Sequence, residues 1–122
     1  EELDSVRLNG HPYHTLPNTA SLTFAHVDGM TLMLNLSLKG ICVSTGSACS
    51  VRSLKPSHVL MAMGLSEEAA YSSLRFSLGR SNTEKQMEQV VEAVKRLVRR
   101  LRLVSEPRTV GVCGPDCPCY FR

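Results

Sequence analysis

Met30-Thr31-Leu32-Met33-Leu34-Asn35-Leu36-Ser37-Leu38-Lys39 is the stretch on which the fold class turns, because it satisfies two periods at once. Leu32, Leu34, Leu36 and Leu38 alternate as in a half-buried strand, whereas Met30, Met33, Leu34, Leu38 and Ile41 also fit one helical stripe. Gly40 ends the element in either case. The residues on both sides carry clearer signals.

Upstream, Ala20 to His26 sets Leu22, Phe24 and, with a slip, Val27 against polar neighbours, which predicts a strand. Before it, Asn9-Gly10, Pro12 and Pro17-Asn18 give residues 1–19 a density of breakers that predicts an irregular N-terminal arm. Downstream, Ile41-Cys42-Val43 reads as a short buried strand with Cys42 as an inert core thiol. The small, hydroxylated run Ser44-Thr45-Gly46-Ser47-Ala48-Cys49-Ser50 then reads as a loop. Pro56 in a first helical turn opens a short helix from Ser57 to Met63, Gly64 stops it, and Ser66-Glu67-Glu68 starts another turn.

Ser72 to Leu78 alternates Leu74, Phe76 and Leu78 with Ser73, Arg75 and Ser77, a strand with one apolar face and an arginine on the other. Gly79-Arg80-Ser81-Asn82 turns the chain, and Thr83 with Gln86 forms a capping box. Met87, Val90, Val91, Val94, Leu97, Val98, Leu101 and Val104 then recur at spacings of three and four, which predicts a helix over 83–103. Lys95, Arg96, Arg99, Arg100 and Arg102 near its end complement the helix dipole and solvate an exposed face, in preference to forming a docking patch. The expected organisation is an arm (1–19), a small α+β domain (20–104) and a cysteine-rich tail (105–122) too short to hold a core.

Composition narrows the function classes. The 122 residues suit one domain, and an apolar content of 43% excludes disorder throughout. A net charge of +3, without basic residues interleaved with stacking aromatics, gives no reason to expect nucleic acid. No run of about 18 apolar residues and no signal-peptide layout is present, so no membrane partner is expected. Five cysteines, an odd number with three crowded near the end, do not form a disulfide framework. They suit the cytoplasm or another reducing intracellular compartment. The chain opens at Glu1 without Met, which raises the expectation of a fragment of a longer polypeptide.

Two residues stand out chemically. Cys49 follows a predicted strand on a loop without bulk, with Arg52 and Lys55 near in sequence, and cations lower a thiol's pKa. It is either a reactive thiolate that can travel to a fixed substrate or a small apolar residue in a turn. Arg75, in mid-strand, either faces solvent or is kept for bidentate binding of a carboxylate, which its planar fork suits better than lysine does.

Three separated motifs make the pattern specific: Val43-Ser44-Thr45-Gly46-Ser47-Ala48-Cys49, Leu54-Lys55-Pro56-Ser57-His58-Val59-Leu60, and Ser72-Ser73-Leu74-Arg75-Phe76-Ser77-Leu78-Gly79-Arg80. With Leu16-Pro17-Asn18 and Val27-Asp28-Gly29, they make residues 5–103 resemble the C-terminal part of NifS/IscS-type cysteine desulfurases. The resemblance implies the small C-terminal α+β domain of the aspartate-aminotransferase-like fold, with a short, mostly antiparallel sheet packed by helices and residues 29–39 helical. It also implies a pyridoxal-phosphate enzyme in which Cys49 takes sulfur from L-cysteine as a persulfide, leaving alanine, while Arg75 binds the substrate α-carboxylate. The implied partners are a sulfur acceptor or scaffold protein, as in iron–sulfur cluster assembly or thio-modification, and a second copy in a homodimer. The family's Schiff-base lysine follows a histidine, and none of His11, His14, His26 or His58 precedes a lysine. This chain alone is therefore expected not to hold the cofactor.

Cys113-Gly114-Pro115-Asp116-Cys117-Pro118-Cys119 lies outside the resemblance. Its C-x3-C-x-C spacing offers three thiolates for zinc or an iron–sulfur site, with His11, His14 or His58 as a fourth ligand, or a relay for sulfur from Cys49. His14 and His58 are otherwise polar surface or capping residues. Two further readings of the whole are a selenocysteine lyase of the same superfamily, and a sulfur-carrier or metal-binding module without pyridoxal chemistry.

Overall fold

The computed structural model describes residues 3–45 and 55–105. Along them run β1 (Val6–Leu8), β2 (Thr19–Phe24), α1 (Gly29–Ser37), β3 (Ser44–Thr45), α2 (His58–Ala62), α3 (Glu67–Tyr71), β4 (Ser73–Ser77) and α4 (Glu84–Ser105). The strands form one sheet in the order β1-β2-β4-β3, antiparallel at each pairing. The class is α+β.

The doubly periodic stretch is helical. Asp28 caps it, its carboxylate accepting from the Thr31 amide at 2.7 Å and the Thr31 hydroxyl at 2.6 Å. At the far end Gly40 takes φ +75° and the Ile41 amide returns to the Leu36 carbonyl. Residues two apart on a helix are turned by about 200°, so the alternating leucines divide between faces. Leu32 and Leu36 are fully buried, while Leu34 and Leu38 face solvent. Gly29, in the first turn, brings the helix against the chain entering β4, where a Cβ would stand 2.5 Å from the Tyr71 carbonyl oxygen.

One face of the sheet meets α1 and α4. Phe24, Val27, Leu32, Leu36, Leu74, Val94, Leu97 and Val98 form the main core, and Phe24 and Phe76 meet edge to face at 6.4 Å. A smaller cluster of Leu60, Leu65 and Ala70 joins α2 to α3. The capping box of α4 closes in both directions: the Gln86 amide donates to Thr83 Oγ1 at 3.3 Å and the Thr83 amide to Gln86 Oε1 at 3.0 Å. Thr83→Ala is expected to lower stability by about 1 kcal/mol. A shifted urea midpoint at unchanged slope measures it, and an unmoved midpoint contradicts it.

Several sequence expectations need correction. The arm is not wholly irregular, because Val6, Arg7 and Leu8 pair with Phe24, Thr23 and Leu22 as β1; a strand this short shows no period of its own. Ile41-Cys42-Val43 forms no strand, and pairing starts only at Ser44 opposite Arg75. Ile41 and Val43 turn toward the core, so alternation turns Cys42 out, and it is exposed. Pro56 lies outside α2, one residue before the Ser57 cap. Arg102 is also more than a solvated charge. Its guanidinium donates to the Ala25 carbonyl at 3.1 Å and the Ser5 carbonyl at 3.4 Å, next to the left-handed turn residues His26 and Ser5.

Candidate functional site

The sheet has a second, polar face. Because side chains alternate along a strand, Ser21 and Thr23 of β2 and Ser73 and Arg75 of β4 lie opposite the core residues Leu22, Phe24 and Leu74. A cleft of about 360 Å³ opens here, with Ser21, Ser73, Arg75 and Thr45 among its lining and walls from Leu16 of the arm, Val59 of α2 and Met63, which caps that helix. Among the described residues Arg75 is the charged residue of this lining, and no carboxylate shares it. The cleft therefore favours an anion, and a guanidinium fork fits a planar carboxylate best.

Arg75 stands between two serines in register, Ser21 on β2 and Ser44 on β3. It is exposed, and among the described residues its guanidinium has no hydrogen-bond or ion-pair partner. The chain leaves β3 at Thr45, directly ahead of Gly46-Ser47-Ala48-Cys49. Cys49 itself, like Cys113, Cys117 and Cys119, lies outside the described residues.

Sequence reasoning missed the floor of this cleft. Asn9, taken as part of a turn-forming pair, is buried, and its amide donates to the Ser21 carbonyl at 2.8 Å as an extension of the β1–β2 ladder. Its carboxamide donates to Ser21 Oγ and to Ser73 Oγ, each at 3.2 Å, and accepts from Thr23 Oγ1 at 2.9 Å. Thr23 and Ser73 share a hydroxyl hydrogen bond at 2.7 Å, and Ser73 Oγ also lies 2.7 Å from the Ala69 carbonyl of α3. The alternation of Ser21 with Thr23 and of Ser73 with Arg75 was the available signal for a polar sheet face. Nothing local pointed to Asn9.

The other candidates do not join the cleft. Among the described residues no three metal-ligating side chains come together. His11 Nδ1 accepts the amides of Tyr13 and His14, while His14 and His58 are exposed, as expected of polar surface residues. Lys39, Lys55 and Lys85 are exposed, and Lys95 pairs with Glu92 at 3.1 Å. None of them lines the cleft. The described residues thus do not fit a Schiff-base site for pyridoxal phosphate. A larger cleft between the sheet and α4 is lined mainly by apolar side chains such as Leu22, Phe76 and Val90 and offers no chemistry of its own.

An antiparallel sheet with helices on its apolar face and an arginine on its polar face fits a wider class. Residues 1–90 match the Aminotransferase class-V family, and the chain belongs to that family. Within it, the chain is 46% identical over 104 residues to Cysteine desulfurase IscS of Methanosarcina thermophila, a match covering 85% of this chain and 26% of that protein. It is 42% identical over 104 residues to Cysteine desulfurase IscS 1 of Archaeoglobus fulgidus, covering 85% of this chain and 27% of that one. A solved NifS-like protein from Rickettsia africae superposes with a TM-score of 0.67 at 33% identity, over 80% of this chain and 24% of that one. The chain spans about a quarter of the length of these relatives.

Proposed function

We propose that this chain is the small C-terminal domain of a cysteine desulfurase that transfers sulfur from L-cysteine to Cys49. The observation that carries the proposal is the register of β3 and β4. Ser44 pairs with Arg75, so the Gly46-Ser47-Ala48-Cys49 segment is rooted beside the anion-binding arginine. From Thr45 to Cys49 is four residues, a reach of at most about 14 Å of extended chain. A substrate anchor and a thiol on a short tether are what the reaction requires of this domain.

In this scheme Arg75 holds the α-carboxylate of cysteine. The Cys49 thiolate donates an electron pair to the substrate sulfur, and the carbon–sulfur bond breaks with its pair kept on carbon. Carbon takes up a proton, so that L-cysteine and the Cys49 thiol become L-alanine and the Cys49 persulfide. The cofactor lysine is supplied from outside the described residues. A sulfur-acceptor protein in a reducing compartment then takes the outer sulfur, and the working enzyme is a homodimer.

Arg75→Ala tests the anchor. Hydrogen bonds to charged groups contribute about 1.5–3 kcal/mol, so KM for L-cysteine is expected to rise on the order of 10- to 100-fold. Inhibition by cysteamine, which has no carboxylate, is expected to stay as it was. An unchanged KM contradicts the assignment of Arg75.

A further inference from the structure

Among the described residues the Arg75 guanidinium has no partner, so there only its stretch of backbone aims it. The residues around that stretch converge on one side chain. Ser21 stands opposite Arg75 across the β2–β4 ladder, Ser73 lies two residues before it on the same face, and Thr23 stands opposite Ser73. The Asn9 carboxamide bonds all three, two as donor and one as acceptor. Asn9 is 5% exposed and Ser73 1%, so water offers little replacement for these bonds. An aspartate would bring only acceptors and a leucine neither donor nor acceptor. Asn9 also continues β1 toward Leu16, which walls the cleft.

We propose that Asn9 is a positioning residue for substrate binding: it fixes the serine and threonine platform from which Arg75 reaches the substrate carboxylate. The proposal rests on the assignment of Arg75 made above. Loss of the carboxamide leaves Ser21, Thr23 and Ser73 to rearrange, and the β4 backbone at Arg75 gains alternative positions. The fork then meets the carboxylate in its bidentate geometry for a smaller fraction of the time, and binding weakens before chemistry does.

The experiment uses the whole cofactor-loaded enzyme that carries this domain. Asn9→Ala is expected to raise KM for L-cysteine about 3- to 10-fold with kcat held within about twofold, the split expected of lost binding. Inhibition by cysteamine is expected to be unaltered. When Asn9→Ala is added to Arg75→Ala, KM is expected to move no further, because the two residues act through one contact. Ser21→Ala, a smaller change on the polar face, is expected to give the same pattern at about 2- to 3-fold and serves if Asn9→Ala does not fold. An unchanged KM, weaker inhibition by cysteamine, or a full additional rise in the Arg75→Ala background overturns the proposal and leaves Asn9 with a structural role. An Arg75→Ala enzyme of unchanged KM instead overturns the carboxylate assignment beneath it.

Discussion

In the enzyme that carries this domain, Cys49→Ala is expected to abolish persulfide formation and to reduce alanine release from L-cysteine on the order of 1,000-fold or more, as loss of a nucleophile does. The reaction needs a sulfur acceptor that can leave with its cargo. A thiolate on a segment of glycine, serine and alanine would meet that need, and the proposed assignment gives this role to Cys49, four residues after Thr45 of β3. Cys42 is exposed but lies before β3 and shares no lining with the cleft, so it is not expected to substitute. Absorbance of the bound cofactor should be preserved, since the substitution removes only a thiol. A Cys49→Ala enzyme that still forms a protein persulfide at the parent rate would assign the nucleophile to another cysteine.

Gly29→Ala is expected to destabilise the fold by about 2 kcal/mol, in the middle of the range for overpacked sites. The added methyl would meet the Tyr71 carbonyl oxygen at 2.5 Å and the Ser73 carbonyl oxygen at 3.3 Å. Both neighbours are backbone, so neither can rotate away, and α1 must slide along the sheet instead. For a domain of this size the loss corresponds to a fall in Tm of roughly 10 °C. Calorimetry reads it directly, and an unchanged Tm would mean that α1 shifts without cost. The same contact makes a second readout available: the helix presses on the residues that lead into Arg75, so KM for cysteine should rise along with the loss of stability.

What could be read from the residues alone was what local chemistry decides. The capping box of Thr83 and Gln86 and the apolar stripe behind it have strong local period, and α4 follows them. The alternation from Ser73 to Ser77 likewise placed Arg75 on the polar side of β4. The 30–39 stretch stayed undecided because leucines at every second position serve both periods. The decision came from Asp28 and from burial of Leu32 and Leu36 against α4, a tertiary contact. β1 and Asn9 were beyond reach for a related reason. Their partners lie 12 to 64 residues away, and a single sequence does not record that pairing. Arg102 shows the same limit, since its carbonyl partners are at the other end of the chain.

The pleat of β4 gives its neighbouring positions unlike exposure to natural variation. Leu74 and Phe76 belong to the packing that every descendant of this domain must keep, while Ser73, Arg75 and Ser77 look onto the cleft side. A lineage can therefore change the exposed Arg75 and Ser77 without disturbing the apolar interior, whereas Ser73 is buried and tied to Asn9 and Thr23. A one-residue insertion in β4 is a different event, because it would exchange the two sets and turn the guanidinium into the core. Drift in this segment should thus proceed by replacement and almost never by change of length.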